Sequence, residues 1–335
     1  MKKKSIAIFL AGTVATSLIF SGCGSKGSEA RTPRPEGVPA DYPNKTIEIA
    51  HGFAPGSQTE SFVRLVMENI QENEGWDYGF TIGFHEGDGG GIGWTYTANA
   101  EPDGYTLGIV QGTAMIRPIS RGVTDWGLDK FSYICNMMTD PGAIAVKADS
   151  PYNNLTDLVN AALENPGQIS VGCGGLTSSD GLAIQQVELA TGCDFNIMPV
   201  GDSEAVPMVL GGFLDCAWLN LGDFTSYVET GEVKIIATGD SERAIFAPDV
   251  KTFMECGVDV KQANARCICG PAGMDEDLRQ YLEDCWINAM NDPELQEKAE
   301  NLQIPYQIMT GEETYAFMSD LTATLQEQWD TAPWE

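Results

Sequence analysis

Residues 46–60 read TIEIAHGFAPGSQTE, and this stretch decides the fold class. Thr46 to His51 alternates polar and apolar side chains, the period of a half-buried strand. Gly52, Pro55 and Gly56 break that period and form a loop. A helix then starts near Thr59 and carries Phe62, Leu65, Val66, Asn69 and Ile70 on one stripe. Strand, glycine-bearing loop and helix in this order form one unit of an α/β protein.

The unit recurs along the chain. Phe80 to Phe84 is a second strand, ending in the run Glu86 to Gly93, and a helix follows from about Trp94 to Ala100. Pro102-Asp103-Gly104 is a turn, and Tyr105 to Val110 a third strand. In the second half Ala143 to Lys147 is a strand, and Leu155 to Leu163 a helix capped near Asn154. Ile169 to Gly172 is a strand opening into CGGLTSSDG, followed by a helix from Ala183 to Ala190. Ala205 to Leu210 is a helix stopped by Gly211-Gly212, and Val233 to Thr238 a strand. From Asp275 onward the chain reads as mostly helical, with Leu278, Tyr281, Leu282, Cys285 and Trp286 at helical spacing. Two such α/β units predict two lobes and mostly parallel sheets. Ligands of open α/β sheets bind outside the carboxyl ends of the strands. That rule puts the loops GFAPGSQTE and CGGLTSSDG on one cleft.

An anion can be held there without Lys or Arg. Helix starts present unpaired N–H groups and the positive end of the helix dipole. Serine and threonine hydroxyls add donors, and glycines let the backbone come close. The candidate ligand-binding residues are Phe53, Ala54, Gly56, Ser57, Gln58 and Thr59 from the first loop. The second loop offers Gly174, Gly175, Thr177, Ser178, Ser179 and Asp180. Helix capping alone accounts for the same residue types, so the pattern does not decide between the two roles.

The chain of 335 residues carries a formal charge of -29. Nucleic-acid binding needs clustered Lys and Arg, so this balance excludes it. Enzyme signatures are poor. The two histidines, His51 and His85, lie in neither a zinc-protease nor a nucleophile-elbow motif. A hydrolase built on Ser178 or Cys173 lacks a histidine base. Glu86 and Asp88 beside the glycine run are too few oxygens for calcium. No cofactor or metal is expected.

The first residues are a targeting segment. Lys2, Lys3 and Lys4 precede a short apolar run from Ile6 to Phe20, too short to span a membrane comfortably, which takes about 20 residues. The run ends in Phe20-Ser21-Gly22-Cys23, the pattern of a bacterial lipoprotein cleavage site with Cys23 as the lipid-bearing residue. Residues 24–41 are rich in Gly, Ser, Pro and charge and form a flexible tether. The protein is therefore expected to be extracytoplasmic and lipid-anchored to the cell membrane. Eight further cysteines, Cys135, Cys173, Cys193, Cys216, Cys256, Cys267, Cys269 and Cys285, sit mostly in apolar stretches. They read as small core residues rather than a disulfide framework.

An ordered series of motifs resembles a known family. Tyr42-Pro43-Asn44-Lys45-Thr46-Ile47 resembles its opening YPxKPI, and Phe53-Ala54-Pro55-Gly56 with Glu60 resembles its FPPGG…D loop. Gly90-Gly91-Ile92-Gly93 and Ala100 to Leu107 match GGxIG…AxPDGYTL almost residue for residue. Gly172, Gly175, Ser178 and Ser179 fall in its GSxGxGS loop. Leu210-Gly211-Gly212, Arg243, Pro248-Asp249-Val250 and Thr252 match LGG…R…LPDVPT, and Gly270 to Gly273 resembles APAG. The chain is thus similar to the Bug-type receptors of tripartite tricarboxylate transporters.

The resemblance implies a two-lobed, periplasmic-binding-protein-like fold joined by two crossing strands. Lobe 1 would comprise residues 42–140 and 266–335, and lobe 2 residues 141–265. It implies a small organic carboxylate in the cleft and delivery to large and small membrane subunits, by a protein expected to be monomeric. A sensory module that presents its ligand to a membrane signalling protein is the alternative. Departures cluster at the site. Ser57 stands for a glycine, Glu60 for Asp, Cys173 for Ser and Thr177 for Gly, and Pro199-Val200-Gly201-Asp202 replaces PYKG, so a basic residue is lost beside an acid.

Overall fold

The computed structural model describes residues 31–176 and 178–331. Cys23 and Thr177 lie outside the described residues. The first half runs β1 (Ile47–His51), α1 (Gln58–Glu74), β2 (Phe80–Phe84), α2 (Gly91–Ala98), β3 (Thr106–Gln111) and α3 (Gly112–Ser120). The long β4 (Phe131–Lys147) leads into the second half. There follow α4 (Leu155–Glu164), β5 (Ser170–Cys173), α5 (Ser179–Thr191), β6 (Asn196–Pro199), α6 (Asp202–Leu210), β7 (Cys216–Asn220), α7 (Thr225–Glu229) and β8 (Val233–Thr238). The chain returns through β9 (Ala263–Pro271) and closes with α8 (Glu276–Met290), α9 (Pro293–Asn301), β10 (Tyr306–Thr310) and α10 (Gly311–Thr331).

The strands form one curled mixed sheet in the order β2-β1-β3-β9-β4-β7-β5-β6, with β8 and β10 both pairing β4. The expected parallel pairing holds in the outer strands. β1 lies between β2 and β3, and β5 between β6 and β7, all parallel. The central strands are antiparallel. β4 pairs β9 from Phe131 to Pro141 and then pairs β7 and β8 from Gly142 to Lys147. β4 therefore carries the chain from one half of the sheet to the other, and β9 carries it back.

Each half builds its own core. Ile47, Ile49, Phe62, Val66, Leu107 and Ile109 pack with Leu278, Leu282 and Trp286 of α8. In the second half Val171, Ile184, Val187, Trp218 and Phe253 form the corresponding cluster. A third cluster joins them, because Leu182 of α5 packs with Trp94, Val110, Ala265 and Met318. Gly93 and Gly108 leave no room for a side chain. A Cβ at Gly93 would stand 2.7 Å from the Gly52 Cα, and one at Gly108 would meet the Thr97 hydroxyl. Helix α2 thus lies directly on the backbone that enters the first loop.

The helix expected from Trp94 runs from Gly91 to Ala98, and that expected from Ala205 begins at Asp202. The C-terminal region is helical except for β10, which returns to the sheet beside β4. All eight cysteines from Cys135 to Cys285 are free thiols, and seven are buried. Burial pushes the Cys173 thiol up to about 11 and the Cys267 thiol up to about 12.

Candidate functional site

The first loop leaves β1 at His51, which is fully buried. Its Nδ1 accepts the Phe53 N–H at 3.0 Å, so the neutral ring carries its proton on Nε2, 3.5 Å from the Ser57 hydroxyl. Burial lowers the His51 pKa, against the pull of Glu60 and Glu86, and favours that neutral form. Phe53 sits edge-on to Trp94. Ser57 caps α1, its Oγ accepting the Glu60 N–H at 3.1 Å. Glu60 turns back to accept the Gly56 N–H at 2.7 Å and pairs with Arg64. Gly56 has φ 99°, a left-handed conformation that favours glycine although a Cβ there would meet nothing. Thr59 is buried and Ala54 exposed. Gln58 points elsewhere, donating to the Leu302 and Gln303 carbonyls.

The second loop repeats the arrangement at β5. Ser178 caps α5, with Oγ accepting the Gly181 N–H at 3.3 Å and lying 2.8 Å from the Gly175 carbonyl. Asp180 is 3% exposed and is the centre of the loop's bonding. One carboxylate oxygen receives the Gln262 amide at 2.9 Å and the Ser179 hydroxyl at 3.1 Å, and the other faces the Gly174 N–H at 3.4 Å. No side chain fits at Gly174, where a Cβ would meet Asp202. Burial first, and the nearby Asp202 second, push Asp180 up to about 6.

The crossing strands connect the two loops. The Asn264 amide on β9 donates to the Ser179 hydroxyl at 3.0 Å and to the Asn220 side chain at 2.7 Å. Gln262 accepts from the Trp218 indole at 2.6 Å while donating to Asp180. Asp140 on β4 accepts the Gly222 N–H at 3.4 Å. Burial pushes Asp140 up to about 6, with Arg266 pulling it down and Asp223 raising it. Burial and then Asp202 raise Asp223 as well. Leu182, four residues beyond the Ser178 cap, belongs to the cluster against which Phe53 packs. The first loop, through Phe53, and α5, through Leu182, therefore meet at one apolar cluster shared with Ala265, Cys267 and Cys269 of β9.

Ser178 bonds to Gly175, Asp180 and Gly181, with no histidine among these partners. The first-turn N–H groups of α1 and α5 that the two serines leave unsatisfied lack acceptors within their helices. A family model described as the tripartite tricarboxylate transporter family receptor, TctC, matches residues 56–327. The chain belongs to this receptor family. The family is one of periplasmic solute-binding receptors, not enzymes.

A ligand-free TctC solute-binding protein from Polaromonas aligns with the receptor at a TM-score of 0.79 and 25% identity, covering 87% of this chain and 99% of that one. The UPF0065 protein of the gbd 5' region of Cupriavidus necator is 24% identical over 283 residues, 83% of this chain and 85% of its own. MatC from Rhodopseudomonas palustris, solved with bound malate, shares the fold at a TM-score of 0.65 and 18% identity, covering 85% of this chain and 99% of that one.

Of the sequence-derived candidates, the structure gathers Phe53, Ser178, Ser179 and Asp180 near the crossing strands, whereas the Gln58 side chain is tied to the C-terminal region. Asp140, Asn220, Gln262, Asn264 and Arg266 escape a sequence reading. They lie on or beside strands without a motif: Asp140 and Asn220 show only as polar residues ending apolar runs, and Gln262, Asn264 and Arg266 only as the polar positions of an alternating stretch.

Proposed function

We propose that this receptor captures a small organic carboxylate between two lobes and delivers it to the large and small membrane subunits of a tripartite tricarboxylate-type transporter. Lobe 1 comprises residues 42–140 and 266–335, and lobe 2 residues 141–265. The ligand sits against Phe53, Ala54 and the Gly56–Thr59 helix start on one side. Gly174, Gly175, Ser178, Ser179 and Asp180 face it from the other. Cys23 carries a lipid that holds the protein to the outer face of the cell membrane.

The observation that carries this reading is that the first loop, through Phe53, and α5, through Leu182, pack on one apolar cluster with β9, and that each loop runs into a serine-capped helix start. Helix starts are ready anion sites. The malate seen in MatC is a ligand of the same chemical class. A thermal-shift panel of organic acids tests it. An acid at 100 times its dissociation constant adds about 2.7 kcal/mol of stability, a shift of several degrees. A panel of mono-, di- and tricarboxylates that leaves the melting temperature unmoved defeats the proposal. Cys23→Ser tests the anchor separately, and release of the protein from the membrane fraction, or failure of processing, is the expected result.

A further inference from the structure

Arg266 occupies a singular position on β9. Ala265, Cys267 and Cys269 turn to the cluster around Trp94, whereas Ile268 turns to the cluster of Ile47, Ile49, Leu107 and Ile109. Strand alternation puts Asn264 and Arg266 on the same face as Ile268. Following that face along β1 and β3 leads to His51 and Gln111 at their carboxyl ends. Arg266 is the register partner of Gln111 on one side and of Met138 on the other. Asn264, next on this face, holds Ser179 and Asn220 of the second half. Arg266 thus stands where the carboxyl ends of both sets of parallel strands come together.

Its charge is incompletely used. Nη1 donates to the Asn264 carbonyl at 2.6 Å and weakly to the Ala265 carbonyl at 3.4 Å. Nε and Nη2 make no hydrogen bond, and no carboxylate forms an ion pair with it, among the described residues. Arg64, Arg243 and Arg279, by contrast, each close an ion pair with glutamate. Arg266 is only partly exposed, and burial opposes its charge while Asp140 and Asp223 favour it. A guanidinium in such a setting, with one edge uncommitted, matches the two oxygens of a carboxylate.

The groups around it have the opposite sign. Asp140 is the register partner of Asn264, on the same face as Arg266, and accepts the N–H of Gly222, the neighbour of Asp223. Burial raises Asp140, Asp180 and Asp223, with Asp223 and Asp180 adding to the shift of Asp140 and Asp202 to those of Asp180 and Asp223. We propose that Arg266 pairs with one carboxylate of the ligand, and that Asp140, Asp202 and Asp223 turn away a second, so the receptor selects monocarboxylates over di- and tricarboxylates. The inference rests on the carboxylate-receptor reading and names the charge class of that same site.

Calorimetry with chain-matched pairs tests it: butyrate against succinate, hexanoate against adipate, and 3-hydroxybutyrate against malate. The wild type binds the monoacid of the best pair at least tenfold more tightly than the diacid. Arg266→Gln and Arg266→Lys both weaken that monoacid about ten- to a hundredfold, because Lys keeps the charge but not the fork. Asp140→Asn narrows the preference by raising diacid affinity. Melting curves of the unliganded variants separate lost binding from lost folding. Diacid preference in the wild type, or monoacid binding that Arg266→Lys leaves unchanged, overturns this inference alone. Binding of no acid by the wild type overturns the receptor reading beneath it.

Discussion

The Gln262 side chain bridges two buried groups, accepting from the Trp218 indole at 2.6 Å and donating to Asp180 at 2.9 Å. Gln262 immediately precedes the returning strand β9, whereas Asp180 opens the helix of the second loop. The amide therefore fixes the second loop to the crossing segment, and it leaves Asp180 with a neutral donor rather than a cation.

Gln262→Leu leaves the indole N–H and one Asp180 oxygen without their partner. An unsatisfied buried polar group costs about 1–3 kcal/mol. We expect a loss of about 2 kcal/mol or more in urea denaturation, with the transition slope unchanged. A loss under about 0.5 kcal/mol would mean that water replaces the amide freely.

Asp140 gives stability a definite pH dependence. Burial holds its folded pKa at about 6, Arg266 opposing and Asp223 and Asp180 reinforcing the shift. The ordinary Asp value is about 3.9. Between these two values the folded state binds more protons than the unfolded one, so this contribution to stability is present below about pH 4 and is lost as pH rises through 6. The melting temperature of Asp140→Asn, relative to wild type, should therefore rise between pH 4 and pH 7. A flat or falling difference contradicts the assignment.

Ser178 serves the helix whatever the ligand proves to be, because its Oγ accepts the Gly181 N–H. Ser178→Ala should cost about 1 kcal/mol of stability without ligand. Ser57→Ala should cost about the same through the Glu60 N–H. Chemical denaturation of the two variants measures both, and unchanged midpoints would remove the capping role.

Thiol titration of the unfolded, unreduced protein should count the eight cysteines from Cys135 to Cys285. In the native protein Cys256, the one thiol of the eight that is not buried, should react first. Recovery of only two or four thiols would show disulfides instead.

The fold was legible where local chemistry was regular. TIEIAH alternates cleanly, and Ser57, Ser178 and Asn154 announce their helices as caps. β4 was legible only as Ala143 to Lys147, because register shifts between Tyr133 and Cys135 and between Asn136 and Met138 break the alternation of its first part. β10 is five residues long and hides among helices. The loops of the site were visible for the same reason as the caps. Arg266, Asn264 and Asp140 were not, because their roles come from pairing across strands more than a hundred residues apart, which no local pattern records.

The most direct test of the account is a crystal structure with the best-binding monocarboxylate. The account predicts carboxylate oxygens about 2.7–2.9 Å from the Arg266 guanidinium, the usual spacing of charge-assisted pairs, with the rest of the ligand between Phe53 and the Ser178–Ser179 helix start. A ligand whose carboxylate lies away from β9, with Arg266 still bonded only to the Asn264 and Ala265 carbonyls, would contradict it.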